Sequence, residues 1–210
     1  MQSTKGMKGF AGGALSGGAL SLLMGNKKFR KVGGKVAAYG GVAALGAVAY
    51  HAYGQWKNSA QQAETPQAAS APPQLKQLTS EVNRFQQLPA AELEQQSQLV
   101  LMAMISAAKA DGHIDAQEQQ LLEGEFQRLG ASPTEHQWIA GLLNGPADPA
   151  AVAKLAQSPE QAAEAYLASV LVTGADSFME RAYLDELARQ LQLEEGLKEH
   201  LENTALNAIS

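Results

Sequence analysis

Cysteine is absent from the 210-residue chain. This absence excludes disulfides, metal sites built from thiolates and a cysteine nucleophile, although it does not decide the cellular compartment. Acidic residues are absent from residues 1–57, which carry eight Lys or Arg, whereas residues 58–210 carry eight basic and 21 acidic side chains. Nucleic-acid binding needs basic residues on the folded body, and the body of this chain is acidic.

Patterns typical of strands and of common catalytic sites are also lacking. No stretch alternates apolar and polar residues for long enough to indicate a strand. No nucleophile-elbow motif surrounds a serine, and the four histidines show no metal-ligand spacing among themselves. A hydrolase that used acidic residues with His113 would need a nucleophile or an oxyanion arrangement, and neither is visible. We therefore predict an all-α protein that is not an enzyme.

The N-terminal region contains two uncharged, Gly-rich stretches, residues 9–25 and 36–56, separated by five basic residues. The second stretch is 21 residues long, close to the ~20 residues that a membrane-spanning helix needs. Aromatic residues near its end are typical of the membrane interface. We predict a membrane span at about 36–56 and treat 9–25 as a candidate second apolar segment. The alternative is that both stretches are disordered or pack against the soluble domain.

The composition then divides the chain into three parts. Residues 1–57 form the basic, membrane-anchoring region, and residues 58–89 form a flexible linker dominated by Gln, Ala, Ser and Pro. Residues 90–210 form a helical domain. Small residues spaced four apart, such as Gly13 and Gly17, favour close helix contacts in lipid, so we also predict self-association through the Gly-rich segments.

Helix starts within the domain are marked by Ser132, Asp148 and Ser158, each followed by proline. A capping oxygen before a proline at the first helical position is a typical helix N-terminus. The run 99–105 is apolar on all sides, which indicates a central buried helix. We predict a bundle of six to seven helices over about residues 90–207.

Specific chemistry is suggested by residues 110–118, which read ADGHIDAQE and contain Asp111, Asp115 and Glu118. In the register of an EF-hand calcium loop these carboxylates take positions 5, 9 and 12. Positions 1 and 3 would be an alanine and a lysine, so a second segment would have to complete the oxygen shell. The alternative is that Asp115 caps the next helix and Glu118 closes a capping box.

A second stretch repeats this pattern. Residues 103–111 read AMISAAKAD and residues 168–176 read ASVLVTGAD, and each is followed by a short loop and a glutamate, Glu118 or Glu180. Apolar residues then recur at the same spacing after each glutamate, in the second copy at Tyr183, Leu184, Ala188 and Leu191. The chain therefore contains a degenerate duplication of a helix-loop-helix unit.

If the two copies pack as a pair, Asp111 and Glu118 meet Asp176 and Glu180. Four carboxylates at such a short distance repel one another unless a counter-ion is present. A divalent cation is one such counter-ion, and a salt bridge to Arg181 is the competing interpretation.

The motifs ADGHID with Glu118 and DSFMERAYLDELA at 176–188 together resemble the TerB-like (tellurite-resistance) helical fold. More narrowly, they resemble the YebE-type branch of uncharacterised bacterial inner-membrane proteins. The resemblance covers roughly residues 92–207 and also the layout ahead of them, a Gly-rich apolar N-terminus followed by a polar linker. It implies an all-helical domain with an acidic divalent-cation site and no established enzymatic activity. Relatives often carry a further Asp where this chain has Gly174, which makes the second half-site poorer in oxygen.

We therefore predict a membrane-anchored binding module in an envelope or metal-stress system, with a weak site for Ca²⁺ or another divalent cation. The predicted metal ligands are Asp111, Asp115, Glu118, Asp176 and Glu180. The alternative is a structural adaptor that binds a protein partner without metal. The expected location is the bacterial inner membrane. The basic residues before the span place the body outside the cytoplasm, whereas TerB-like domains are usually cytoplasmic, so the side stays open.

Overall fold

The computed structural model describes residues 42–61, 89–110, 132–173 and 177–209. Seven helices lie in these ranges, and the described residues contain no strand, which confirms the all-α prediction. In chain order they are α1 (Val42–Gln61), α2 (Ala90–Ala108), α3 (Pro133–Asn144), α4 (Pro149–Leu155), α5 (Pro159–Thr173), α6 (Phe178–Gln190) and α7 (Glu195–Ile209).

Three helix starts are where the capping pattern predicts them. Helices α3, α4 and α5 each begin at a proline. The preceding polar side chain accepts a hydrogen bond from a backbone N–H in the first turn: Ser132 from Glu135 at 3.3 Å, Asp148 from Ala151 at 3.0 Å and Ser158 from Gln161 at 3.2 Å. Each bond satisfies a donor that the helix itself leaves unpaired.

Helices α2 and α5 form the centre of the bundle. All residues from Leu99 to Ile105 except Met102 are buried, and so is every residue from Ala162 to Thr173. The Gln96 amide donates to the Glu164 carboxyl at 2.6 Å, and the Ser169 hydroxyl donates to the Ala103 carbonyl at 3.4 Å. Because both pairs advance in the same direction along the chain, the two helices are parallel. The equivalent helices of the two repeated units therefore run in the same direction.

Helix α6 presents the apolar face that the duplication predicts. All four residues named from the repeat are buried: Tyr183, Leu184, Ala188 and Leu191. This face joins the core formed by the central helices. The spacing of apolar residues after Glu180 is therefore confirmed as the buried side of a helix.

Helix α1 packs on the bundle, where it contacts α5 and α7. Leu45, Ala49 and Ala52 belong to the hydrophobic core. The described ranges include no helix that is both long and apolar enough to cross a bilayer. Packing against the domain was the alternative to a span at 36–56, and it is the arrangement found for Val42–Gln61. The first 41 residues, with the stretch 9–25, lie outside the described residues.

The small side chains of α1 explain why its Gly- and Ala-rich sequence is compatible with packing against other helices of the protein. Alanine and glycine let helix axes approach closely, and this property serves a protein contact as well as a contact in lipid. The helix also continues to Gln61, past the expected start of the linker at residue 58. Most of the expected linker, residues 62–88, lies outside the described ranges.

Candidate functional site

The two acidic loops follow the parallel central helices. Because α2 and α5 run side by side, their last residues, Ala108 and Thr173, lie at the same end of the bundle. The predicted ligands Asp111, Asp115, Glu118 and Asp176 lie outside the described residues, so the meeting of their carboxylates stays a prediction. Within the described ranges, no three His, Asp or Glu side chains are grouped so that they could hold a metal ion.

Glu180 is the predicted ligand that the structure describes, and it forms part of a capping box at the start of α6. Its carboxylate accepts a hydrogen bond from the Ser177 backbone N–H at 2.8 Å. The Ser177 hydroxyl in turn accepts from the Glu180 N–H at 3.1 Å. A carboxylate used in this way stabilises the helix start. Glu180 corresponds to Glu118 in the first copy, for which capping was the alternative to a metal ligand.

Replacing Ser177 with alanine should lower the free energy of unfolding by about 1 kcal/mol, because one helix N–H loses its acceptor. Urea unfolding of the full chain measures this loss. Ser158→Ala, which removes a single cap at α5, provides a matched comparison. An unchanged midpoint for Ser177→Ala would show that the box adds nothing to stability.

A groove of about 410 Å³ opens at the other end of the bundle, where α1 and α6 end and α5 and α7 begin. Its walls include Tyr53 and Trp56 of α1, Pro159 at the start of α5, and Gln192 and Leu193 between α6 and α7. Tyr53 and Trp56 are three residues apart and therefore share one face of the helix. Their ring centroids are 6.1 Å apart. The groove thus has an aromatic wall, and glutamine side chains are among its lining residues.

The aromatic wall is held in place by two contacts. A Cβ atom added at Gly196 of α7 would lie 3.1 Å from Nε1 of Trp56, so the indole rests against the backbone of that helix. The ammonium of Lys57 lies 5.7 Å from the centroid of the Tyr53 ring, a cation–π distance. Trp56 therefore depends on a small residue at position 196, which provides the space that the ring occupies.

Gln192 adopts a backbone conformation that side chains usually avoid. Its φ is 56°, in the left-handed region. It follows α6 in a turn closed by the bond from the Leu193 N–H to the Ala188 carbonyl at 3.0 Å, a position at which glycine is usual. A non-glycine residue there costs roughly 1–2 kcal/mol. The chain thus places an amide side chain at the groove against the preference of its backbone, and such outliers often mark binding sites.

A family model described as a protein of unknown function (DUF533) matches residues 9–205. The chain belongs to this family. A relative from Yersinia enterocolitica, named an uncharacterized protein in the ampR 5′ region, is 32% identical over 112 residues, which cover 53% of this chain and 81% of the relative. No solved structure matches the chain significantly.

Membership of the DUF533 family confirms the broader resemblance, because this family is TerB-like. The narrower YebE-type membrane branch stays a prediction. The family match begins at residue 9, so it takes in the Gly-rich N-terminal stretches as well as the bundle. Helix α1, whose core residues pack on α5, is therefore part of the unit that defines the family.

The role of Lys109 escaped the sequence-based reasoning about this DUF533 chain. The side chain is buried, and its ammonium donates to the carbonyls of Leu142, at 2.9 Å, and of Gly145. A cation there satisfies the last carbonyls of α3 and interacts favourably with the helix dipole. Burial lowers the pKa of Lys109. The sequence feature that could have indicated this role is a lysine at the end of an apolar, buried helix. The hydrogen bonds of Lys109 connect the start of the first acidic loop to α3.

Proposed function

We propose that the chain is a non-enzymatic binding module that holds an extended peptide in the groove between the ends of α1, α5, α6 and α7. The observation that carries this proposal is the aromatic pair Tyr53 and Trp56, which lines a groove of about 410 Å³ beside Gln192. Ligand sites typically measure about 300–1,000 Å³ and combine an apolar wall with a few polar groups. Of the two functions predicted from the sequence, this proposal favours the adaptor that binds a protein partner over the module that binds a divalent cation.

The chemistry of the groove suits a proline-rich peptide. A polyproline II segment has no internal hydrogen bonds, so its carbonyls need donors from the binding site. Aromatic-lined grooves recognise such segments because proline rings pack on aromatic faces. Here the rings come from Tyr53 and Trp56, and Gln157 and Gln192 carry amide groups at the groove. The Gln190 amide, also at the groove, already donates to the Glu186 carboxylate at 2.7 Å.

Photo-crosslinking tests this function in the full-length chain. A photoreactive amino acid in place of Gln192 should form adducts with peptides that contain proline, identified by mass spectrometry. The same probe at Glu199, an exposed residue of α7, is the control and should not form them. Trp56→Ala should abolish the adducts at position 192. Equal labelling from positions 192 and 199 would contradict peptide binding in the groove.

The membrane tether stays part of the proposal for the region ahead of α1. Its support is the charge asymmetry of the sequence, since residues 1–41 hold seven basic and no acidic side chains. A basic segment next to apolar stretches favours an anionic lipid surface. In this proposal the tether keeps the peptide-binding groove near the bacterial inner membrane.

A weak divalent-cation site is the second candidate function, and the parallel packing of α2 and α5 is the observation that favours it. Both acidic loops start from the same end of the bundle. One observation weighs against it: the Glu180 carboxylate accepts a hydrogen bond within the capping box. The resemblance to TerB-like domains also implies an Asp at the position where this chain has Gly174.

Because the adaptor is favoured, we expect the melting temperature of the full chain to be unchanged by 10 mM Ca²⁺, Mg²⁺ or Mn²⁺. A cation site with a dissociation constant of ~10⁻⁴ to 10⁻³ M would instead stabilise the fold by about 1.4 to 2.7 kcal/mol at that concentration. Calorimetry distinguishes the two outcomes. A rise in melting temperature that disappears in Asp111→Asn would establish the metal site and displace the metal-free adaptor.

A further inference from the structure

The groove lies where the chain leaves α1 and where it enters α2. Helix α1 ends at Gln61, five residues after Trp56 in the groove wall. Helix α2 runs parallel to α5, and Pro159 at the start of α5 also lines the groove. The N-terminal end of α2, at Ala90, therefore lies at this same end of the bundle. Residues 62–88 connect two points near the groove.

The sequence of this connection matches the ligand chemistry of the groove. Residues 65–74 read TPQAASAPPQ, with three prolines, small side chains and no charge. Prolines restrict a segment to extended conformations and lower the entropy that binding would remove. Among the described residues that line the groove, Glu194 carries the single carboxylate, so an uncharged segment meets no strong repulsion from them.

We propose that the chain's own segment 65–74 binds in the groove, as an internal ligand that an external peptide must displace. This inference rests on the proposed function, because it names an occupant for the same groove.

Chain length allows this contact. Trp56 lies about 8 Å along the helix axis from Gln61, at 1.5 Å per residue. Residue 65 is four positions beyond Gln61, and an extended chain covers about 3.3 Å per residue. The length of the chain therefore allows residues 65–74 to reach Trp56. A tether this short corresponds to an effective concentration in the millimolar range, so a contact with a dissociation constant below about 1 mM would be occupied most of the time.

The test uses Trp56 as a reporter. The chain has two tryptophans, Trp56 and Trp138, so Trp138→Phe leaves Trp56 as the sole indole. In that background, replacing Pro66, Pro72 and Pro73 with glycine should raise the acrylamide quenching constant of Trp56 at least twofold. A synthetic peptide of residues 62–76 should reverse the increase. The matched control replaces Thr79, Ser80 and Asn83 with glycine, in the same connection but outside the segment, and should leave quenching unchanged.

Photo-crosslinking from position 192 gives a second readout. An intramolecular crosslink between position 192 and residues 65–74 is expected in the full chain, and intermolecular adducts should increase when the three prolines are replaced. Unchanged Trp56 quenching together with no intramolecular crosslink would overturn the proposal. If intermolecular proline-containing adducts were found in that case, the binding function would stand and only the internal ligand would fail. Absence of both kinds of adduct would overturn the binding function as well.

Discussion

Replacing Glu164 with glutamine is expected to raise the free energy of unfolding above pH 8 and to flatten its pH dependence. Glu164 lies in the centre of α5 with 2% of its surface exposed. The Gln96 amide donates to one carboxyl oxygen, and the other oxygen, Oε1, has no hydrogen-bond partner among the described residues. Burial raises the pKa of Glu164 from its ordinary value of 4.5 to about 8, although the Gln96 bond opposes the shift.

The sign of the effect follows from proton binding. Between pH 4.5 and about 8 the unfolded chain loses the proton of Glu164 while the folded chain keeps it. The contribution of Glu164 to the free energy of unfolding is therefore fully present below its pKa in the unfolded chain. It is lost as the pH rises to its pKa in the folded chain. The whole shift corresponds to about 5 kcal/mol, at 1.36 kcal/mol per pKa unit. Glutamine keeps the shape and can exchange an amide hydrogen bond with Gln96, but it has no proton to lose.

Denaturant unfolding of the full chain at pH 5, 7 and 9 measures this effect. The gap between Glu164→Gln and the parent chain should widen from pH 5 to pH 9. Glu160→Gln, one turn earlier on the same helix and only partly buried, is the matched control and should follow the parent. A constant gap across the three pH values would show that Glu164 does not titrate between them.

Glu164 also illustrates where reasoning from sequence reaches its limit. Helix starts such as Ser132-Pro133 are encoded within four residues, and the apolar spacing after Glu180 is encoded within one helix, so both could be predicted. A glutamate in a helix usually marks the solvent side. Its burial here depends on α2 packing alongside α5, a contact between residues 68 positions apart.

The candidate sites also differ in whether their features are encoded locally or arise from packing between distant parts of the chain. The sequence Ser177-Phe178-Met179-Glu180 has the spacing of a capping box, so this local role of Glu180 was readable in advance. The groove was not readable, because Trp56, Pro159 and Gln192 come together only when α1, α5 and α6 pack. The conformation of Gln192 could not be predicted from the sequence either, because the positive φ is imposed by the turn that ends α6.

The position of α1 is the largest difference between the sequence pattern and the fold, and a charge placed in its buried face tests it. Ala49→Asp should lower the free energy of unfolding of the full chain by about 3–5 kcal/mol, the cost of an uncompensated buried charge. The side chain of Ala49 is fully buried in the core. Thermal unfolding followed by circular dichroism measures the loss.

Asn58→Asp adds the same charge to an exposed residue of the same helix, and it should change the free energy by no more than about 0.5 kcal/mol. A comparison of the two variants distinguishes the loss of stability caused by a charge in the buried face of α1 from any general effect of adding a charge to this helix. If the helix left the bundle to enter lipid, residues 90–209 would unfold with the same free energy in both variants. If it packs as described, Ala49→Asp should also expose Trp56, because the indole rests on Gly196 only while α1 lies against α7. The stability of the bundle and the accessibility of the groove should therefore change together.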